Sequence, residues 1–455
     1  MRSEEAAALD GRLSDFLEPM LGFLGREDRR RWARTYVAGL LLDGERKSIQ
    51  PLAARLGWAG DATQSLQQFV STSPWSCALL RAGMVAAATR LWPRPHAWII
   101  DETSFPKAGS HSVGVAPQYC GALGKIANCQ VAVSLHYSAK KLAADQSGSA
   151  ALGWRLFLPR EWCHDPTRRQ KAGVPPEVTY RSKNALALEL IEEALASGLP
   201  PAPVLADSDY GDDFGWRARL RQMAVSYCVA VQPRAKAWTT PPVGSPPPAA
   251  GRPLPKDLLS LPKRLDQIAR ELPPQAWRTL SWREGTRGLM QGRFARLPIW
   301  ASHGYTQRQH GAERTREWLF IEWPPHKDAP LDYWLAHLPE TKTPTLQRLV
   351  GLARERWRVE QDYRELKDEL GLDHFEGRSW RGWHHHVSLV CLAHLFLQSE
   401  RARLAAEEGT QKKPGPSARA RKPAANPPPP ARPSRADVLR ALSMVRQPAG
   451  HLLTT

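Results

Sequence analysis

Three carboxylates are spaced in the sequence as a metal-dependent site would require. Asp101 ends the apolar run of WIIDETSFPKAG, and Asp207 ends a second apolar run in PVLADSDYG. Such runs predict buried strands, so each aspartate is expected at the end of a rigid strand. Glu360 lies in ARERWRVEQDYRELKDELGLD, which has helical periodicity. A solvent-exposed strand edge would explain either aspartate alone, so the metal hypothesis depends on the combination of all three.

Carboxylate oxygens are hard ligands, which favour magnesium or manganese. A pair of such ions can activate a water or a 3′-hydroxyl and stabilise the leaving oxygen in phosphodiester chemistry. The ions would also offset the mutual repulsion of the acids. No nucleotide cofactor is expected, because GALGK lacks the first glycine and the Ser/Thr of a phosphate loop: Tyr119 and Ile126 stand there.

One face of the predicted helix around Glu360 carries charged and aromatic residues at i, i+4, i+7 and i+11: Arg356, Glu360, Tyr363 and Lys367. Such a stripe is typical of a solvated, salt-bridged face. The segment GLDHFEGRSWRGWHHH, rich in basic and aromatic residues, follows it, so a DNA-facing surface is the competing interpretation. Its three adjacent histidines point in different directions on a helix and cannot chelate one ion.

The charge of the chain indicates a polyanionic partner. The 455 residues carry a net charge of +18, with a pI near 9.9, which favours nucleic acid through counterion release. No apolar stretch approaches the roughly 20 residues that span a bilayer, so no membrane partner is expected. The N-terminus is too acidic for a signal peptide, which predicts a cytoplasmic protein. The six scattered cysteines indicate neither a zinc site nor a disulfide framework.

The order of predicted elements indicates an α/β fold with a mixed sheet. HAWII, CQVAVSLHYS and WRLFLP read as strands, KNALALELIEEALASG as a helix, and PVLADSDYG, FGWRARLRQM and SYCVAV as strand, helix and strand. A long helix is expected from about 346 to 370 and a second over roughly 381–403.

Five regions are predicted along the chain. An N-terminal helical domain precedes the first part of the α/β core; its weak helix-turn-helix pattern leaves DNA binding and ordinary packing both open. A mainly β insertion with a Pro-rich loop, 232–345, contains seven of the 18 tryptophans. The C-terminal core helices, 346–403, then carry Glu360, and a basic, Pro-rich tail, 404–455, is expected to be disordered. The N-terminal helical domain covers 1–95 and the first part of the core covers 96–231.

Several long motifs occur in an order that resembles a known family. They are DETSFPKAGSHSVGVAPQYCGALGKIANCQVAVSLHY, WRLFLPREW, VLADSDYG and ELGLDHFEGRSWRGWHHH. Together they strongly resemble bacterial insertion-sequence transposases with an RNase H-like DDE catalytic core. The similarity is to the branch whose third motif is Tyr-two-Arg-three-Glu-six-Lys. Arg356, Glu360 and Lys367 fit that spacing, whereas Ala353 stands at the tyrosine position.

The resemblance implies roles for individual residues. The metal-binding catalytic acids would be Asp101, Asp207 and Glu360, with two magnesium or manganese ions. Phosphates near the cleaved strand would be held by Arg356 and Lys367, and the DNA backbone would be contacted by Lys107 and Lys125. Glu102 and Asp209 are neighbouring acids that could be mistaken for the ligands. Asp207 is preferred to Asp209 because it directly follows PVLA.

The resemblance also implies an activity and partners. Such an enzyme binds terminal inverted repeats and joins the cleaved ends to target DNA. It is expected to assemble as a homodimer on DNA and to associate with the bacterial nucleoid when it acts. Two alternatives remain open. One is a related metal-dependent DNA endonuclease, and the other is a non-catalytic DNA-binding protein that descends from a transposase.

Overall fold

The first described elements of the chain are helices. The computed structural model describes residues 3–57, 60–140, 147–242, 261–285, 288–302, 315–338 and 343–411. Its first helices are α1 (Ser3–Leu21), α2 (Glu27–Leu41), α3 (Ile49–Arg55), α4 (Asp61–Ser71) and α5 (Cys77–Leu91). A 3₁₀ turn, Gly22–Leu24, follows α1. None of the described helices is long and apolar enough to cross a membrane.

The described strands form one twelve-stranded sheet. In chain order they are β1 (Pro95–Pro106), β2 (Ala116–Cys120), β3 (Lys125–Lys140), β4 (Ser147–Leu156), β5 (Val204–Ala206), β6 (Tyr227–Ala230), β7 (Lys236–Trp238), β8 (Lys263–Arg264), β9 (Arg278–Gly285), β10 (Gly288–Ala301), β11 (Arg316–Glu322) and β12 (Asp332–His337). The main order is β2-β3-β1-β5-β6-β12-β11-β10-β7-β8, with β4 on β3 and β9 on β10.

The sheet is mixed, which confirms the predicted fold class at this level. β1 pairs with β3 antiparallel and with β5 parallel, and β5 pairs with β6 parallel. The connections carry α6 (Arg160–Cys163), α7 (Pro166–Ala172), α8 (Lys183–Ala196), α9 (Ser208–Gly211) and α10 (Phe214–Gln222). Because β1 and β5 are parallel neighbours, their C-terminal ends meet at the same edge.

The segment 232–345 continues the same sheet. Its last strand, β12, pairs antiparallel with β6, and β11 and β10 follow in turn. A short helix, α11 (Leu265–Glu271), lies between β8 and β9. The described strands of the segment therefore extend the sheet of the core. The Pro-rich stretch 243–260 lies outside the described residues.

The helix predicted over 346–370 is broken, which corrects the sequence interpretation. Two helices, α12 (Leu346–Glu355) and α13 (Trp357–Arg364), meet at Arg356, and a π-helical turn, Glu365–Glu369, follows. The last helix, α14 (Trp380–Gln411), continues past residue 404, where the tail was predicted to begin. The rest of that tail lies outside the described residues.

Alternating side chains of β1 face different parts of the core. Ala97 and Ile99 pack with Leu205 of β5 in a cluster that also contains Leu349, Leu352 and Val359 of α12 and α13. Trp98 and Ile100 belong to the main core cluster. Since side chains alternate along a strand, Asp101 lies on the same face as Ile99, beneath α12 and α13.

Candidate active site

The sheet register brings the two predicted aspartates side by side. Trp98 pairs with Val204 and Ile99 with Leu205, an offset of 106 residues (204 − 98). The same offset leads from Asp101 to Asp207, which directly follows β5. Neighbouring strands lie about 4.8 Å apart. Side-chain alternation puts both aspartates on the face of the sheet that α12 and α13 cover. The register of β1 with β5 therefore sets the two aspartates side by side.

Arg356 joins these aspartates to the helical glutamate. Its Nη1 lies 3.3 Å from Oδ2 of Asp101, and its Nη2 lies 3.5 Å from Oε1 of Glu360. The guanidinium also lowers the pKa of Asp207 by its charge, although burial raises that pKa more. The junction of α12 and α13 thus places one cation among all three predicted acids. Glu360 retains 48% exposure of its side chain.

Burial makes the negative charge of this site costly. Burial, against the lowering effect of Arg356 and together with the charge of Asp207, raises the pKa of Asp101 to about 7. Burial also raises the pKa of Asp207, as does the nearby Asp209. One guanidinium does not cancel these effects, so the site retains affinity for further positive charge.

The donor chemistry suits a hard divalent cation. Among the described residues no three Asp, Glu, His or Cys side chains are grouped closely enough to hold an ion, and Arg356 lies between two of the acids. The hydroxyl of Tyr210, close enough to Asp101 and Asp207 to feel their charge, is buried with no hydrogen-bond partner among the described groups. Oxygen donors with surplus negative charge and an unpartnered hydroxyl have the chemistry that magnesium or manganese prefers. The metal assignment itself stays a prediction.

The neighbouring acids occupy different environments. Glu102 alternates to the opposite face of β1, and its carboxylate accepts a hydrogen bond from Lys183 Nζ at 2.7 Å. Asp209 is exposed, and its backbone N–H donates to Oδ1 of Asp207 at 3.0 Å. Glu102 therefore lies on the other face of β1 from Asp101, and the choice of Asp101 and Asp207 as ligands stays a prediction.

The predicted DNA-binding lysines differ in their surroundings. Lys367 donates from Nζ to the carbonyl of Ser104 at 2.9 Å, and Lys107 donates to the carbonyl of Phe375 at 2.8 Å. Burial lowers the pKa of both amines. Both lysines therefore attach the end of β1 to the segment around α13. Lys125, at the start of β3, is exposed.

The three adjacent histidines bind separate groups. His384 bonds to a carbonyl of its own helix, and His385 bonds to the carbonyl of Val70 at 2.8 Å. His386 lies 2.8 Å from the hydroxyl of Tyr36. Burial lowers the pKa of each ring to about 4, so all three are neutral near pH 7. The last two join α14 to the N-terminal helices.

A buried polar cluster beneath the site was missed by the sequence interpretation. Ser134, His136 and Ser138 occupy alternate positions of β3, on the face that contacts α13, and all three are fully buried. The alternation S-x-H-x-S in VSLHYS was visible in the sequence. A period of two with polar residues normally indicates a solvent-facing side, so this signal alone does not predict burial under a helix.

Comparisons with known proteins agree on one family. The model of the family described as DDE superfamily endonuclease matches residues 19–289, more than half of the chain. A probable transposase for insertion sequence element IS701 from Microchaete diplosiphon is 32% identical over 196 residues, which are 43% of this chain and 47% of that relative. The match thus spans about half the length of the curated relative.

One solved structure is similar over most of this chain. It is the cryo-EM structure of a piggyBac transposase synaptic complex with hairpin DNA. The TM-score is 0.40 at 11% sequence identity, and the alignment covers 92% of this chain and 70% of that one.

Proposed function

Because this chain belongs to the DDE superfamily endonuclease family, we propose that it is the transposase of an insertion sequence. In this proposal it binds the terminal inverted repeats of the element, cuts the DNA strands there, and joins the freed 3′-hydroxyls to target DNA. The similarity to an insertion-sequence transposase over 196 residues supports the assignment.

The observation that carries the proposal is the convergence of three acids on Arg356. Asp101 and Asp207 follow adjacent parallel strands in one register, and Glu360 reaches the same guanidinium from α13. These residues would hold two magnesium or manganese ions, which supply activation of the attacking oxygen and stabilisation of the leaving one. Rigid strand ends fix two of the donors, and the exposed Glu360 can adjust to complete the set.

Arg356 has a second role in this proposal. When DNA arrives, its guanidinium exchanges the carboxylates of Asp101 and Glu360 for a phosphate, which it can grip through two hydrogen bonds. The acids are then free to bind cations beside the scissile bond. Lys125 contacts the DNA backbone from the β2–β3 hairpin, and Lys367 and Lys107 hold the end of β1 in place near the phosphates.

The proposed core is RNase H-like. The strand order β4-β3-β1-β5-β6, with β3 antiparallel and β5 and β6 parallel to β1, supports this proposal. We assign recognition of the terminal repeats to the N-terminal helices over 1–95, and the excess of basic residues to general DNA affinity. A homodimer on DNA would present two such sites to the two ends of the element.

The test is strand transfer by the full chain. A labelled duplex that carries the terminal repeat of the element is incubated with a supercoiled target in magnesium, in manganese and in chelator. Nicking at the repeat boundary and joining into the target, both dependent on the cation, are expected. Cutting without preference for the repeat over a scrambled duplex would indicate a metal-dependent endonuclease instead. Repeat-specific binding with no cutting would indicate a DNA-binding protein that descends from a transposase.

A further inference from the structure

Four polar side chains, three of them buried and the fourth half-buried, connect α13 to β3, the strand beside Asp101. They form a continuous hydrogen-bonded path, called here the relay: Tyr363, Ser134, His136 and Asp362. We propose that the relay positions α13, and with it Arg356 and Glu360, against β3, which pairs with the strand that carries Asp101. This inference rests on the proposed function for its consequence in catalysis, and on hydrogen bonds alone for its structural part.

The direction of the hydrogen bonds in the relay follows from the Asp362 carboxylate, which can only accept. The Asp362 carboxylate lies 2.7 Å from Nδ1 of His136 and accepts a second bond from Ser149 Oγ at 2.5 Å. A carboxylate only accepts, so Nδ1 carries the ring proton. In the neutral imidazole the other nitrogen, Nε2, which lies 3.0 Å from Ser134 Oγ, accepts the proton of that hydroxyl. Tyr363 then donates its hydroxyl proton to Ser134 Oγ at 2.6 Å.

The position of the relay relates it to the predicted acids. Ser134 pairs directly with Asp101 across β3 and β1, and its hydroxyl lies 3.5 Å from the Asp101 carbonyl. Tyr363 lies three residues after Glu360, one turn further along α13, and feels the charge of Asp101. The relay therefore links the strand position of one acid to the helix turn of another.

Burial explains why the relay is specific. Ser134 and His136 are fully buried, and Asp362 is 2% exposed. A displacement of α13 would leave these buried polar groups without their partners. An apolar contact would tolerate sliding, whereas directional bonds between buried groups select one position of the helix. Functional groups need placement within about 0.5 Å, which such supporting bonds supply.

The relay does not serve as a nucleophilic site. Ser134, His136 and Asp362 have the hydrogen bonds of a Ser-His-Asp arrangement. However, the serine hydroxyl is wholly buried and its oxygen is occupied by the hydroxyl of Tyr363. No substrate carbonyl could reach it without unfolding this part of the core. The assignment is therefore to positioning residues.

The test compares Tyr363→Phe with a matched control, Tyr227→Phe. Tyr227 is fully buried, whereas Tyr363 is half-buried, and its hydroxyl donates to Glu317 at 2.6 Å in a polar cluster of β6 and β11. Tyr363→Phe loses one hydrogen bond, and Tyr227→Phe loses two, because Arg221 also donates to the Tyr227 hydroxyl. Both variants should therefore lower the melting temperature. Amide hydrogen exchange over Trp357–Arg364 in the metal-free chain should be about tenfold faster in Tyr363→Phe and unchanged in Tyr227→Phe, since a lost bond of about 1.4 kcal/mol corresponds to that factor.

A second readout concerns the cation. On the full chain with DNA, Tyr363→Phe should raise the manganese concentration for half-saturation by about tenfold, measured by electron paramagnetic resonance of the free ion. The manganese affinity of Tyr227→Phe should match that of the parent chain. Ser134→Ala should reproduce the effect of Tyr363→Phe, since it removes the same link.

The outcomes separate the relay from the proposed function. Unchanged exchange over Trp357–Arg364 in Tyr363→Phe, or an equal increase in Tyr227→Phe, would overturn the relay, whatever the chain does to DNA. Faster exchange in a chain that neither binds manganese nor cuts DNA would support the relay and contradict the proposed function. Faster exchange with unchanged manganese affinity would overturn the link between the relay and the acids.

Discussion

Asp101 and Arg356, 255 residues apart, meet at 3.3 Å between Oδ2 and Nη1. The contact joins the end of β1 to the junction of α12 and α13. The same guanidinium reaches Glu360 at 3.5 Å. In the metal-free protein Arg356 therefore supplies the positive charge that the buried carboxylates need. A divalent ion would compete with it for the same oxygens, so cation binding and the position of Arg356 are expected to be linked.

The raised pKa of Asp101 predicts a pH-dependent stability. Its folded pKa is about 7, against the usual 3.8, so between these values the folded chain holds a proton that the unfolded chain has released. The free energy of unfolding should therefore fall as pH rises from about 4 to about 7. Asp101→Asn cannot ionise and should be more stable than the parent at pH 8, by up to about 4 kcal/mol.

Urea unfolding in chelator, from pH 4 to pH 8, measures this difference. The two chains should converge near pH 4, where Asp101 is protonated in the folded parent and about half protonated in the unfolded one. Exposed Asp209 supplies the control, since Asp209→Asn should change stability little at any pH. A stability gain of Asp101→Asn that is the same at pH 4 and pH 8 would contradict the assigned pKa.

Arg356→Ala should weaken DNA binding more than any single lysine substitution. A guanidinium can hold a phosphate through two charged hydrogen bonds, and their loss should reduce affinity roughly tenfold to a hundredfold. Arg356→Lys should fall between the parent and Arg356→Ala, because an ammonium lacks the planar fork. Fluorescence anisotropy at fixed salt in chelator gives the affinities. Equal affinities of the three chains would show that Arg356 serves only the carboxylates.

Alanine substitutions of Lys367 and Lys125 should have different effects on stability and on DNA affinity. Lys367→Ala loses the bond to Ser104 and the contact of its amine with the Phe105 ring, 5.3 Å away, so stability should fall by about 1 kcal/mol. Exposed Lys125→Ala should leave stability unchanged while the slope of log affinity against log salt becomes smaller by about 1. A stable Lys367→Ala chain with the larger loss of DNA affinity would return Lys367 to direct phosphate binding.

Deletion of residues 412–455 should reduce salt-dependent DNA affinity without abolishing catalysis. The segment 412–435 alone holds seven basic residues and no acid, so its removal should make binding less steeply dependent on salt. The DNA affinities of the deleted and parent chains are measured between about 50 and 200 mM salt. Nicking by both chains is measured at the lowest of these salt concentrations. Complete loss of nicking with an intact fold would assign the segment a part in assembly or catalysis.

The sequence was sufficient for the parts of the fold that depend on local patterns. Apolar runs with carboxylates at their ends identified β1 and β5, and the order of strands and helices identified a mixed sheet. Those strand ends suggest that Asp101 and Asp207 are neighbours, but they do not fix the register that aligns the two, because parallel pairing depends on the whole sheet.

The remaining features depend on tertiary packing. From Leu352 to Leu370 the helical periodicity has no proline or glycine, so the break between α12 and α13 and the π turn after Arg364 carry no local signal. The polar stripe of Ser134, His136 and Ser138 resembles a solvent face until a helix covers it. The helical stripe predicts Lys367 as a phosphate ligand. Only the fold shows that its amine donates a hydrogen bond to the Ser104 carbonyl.

The central claim is that Asp101, Asp207 and Glu360 act as one catalytic set, and Glu360→Ala tests it most directly. Nicking of a labelled terminal-repeat duplex is measured in magnesium for Glu360→Ala and for Glu102→Ala, whose carboxylate is paired with Lys183 on the other face of β1. The account predicts that Glu360→Ala binds the duplex but does not nick it, and that Glu102→Ala keeps substantial activity. A Glu360→Ala chain that still nicks in magnesium at the parent rate would contradict the account.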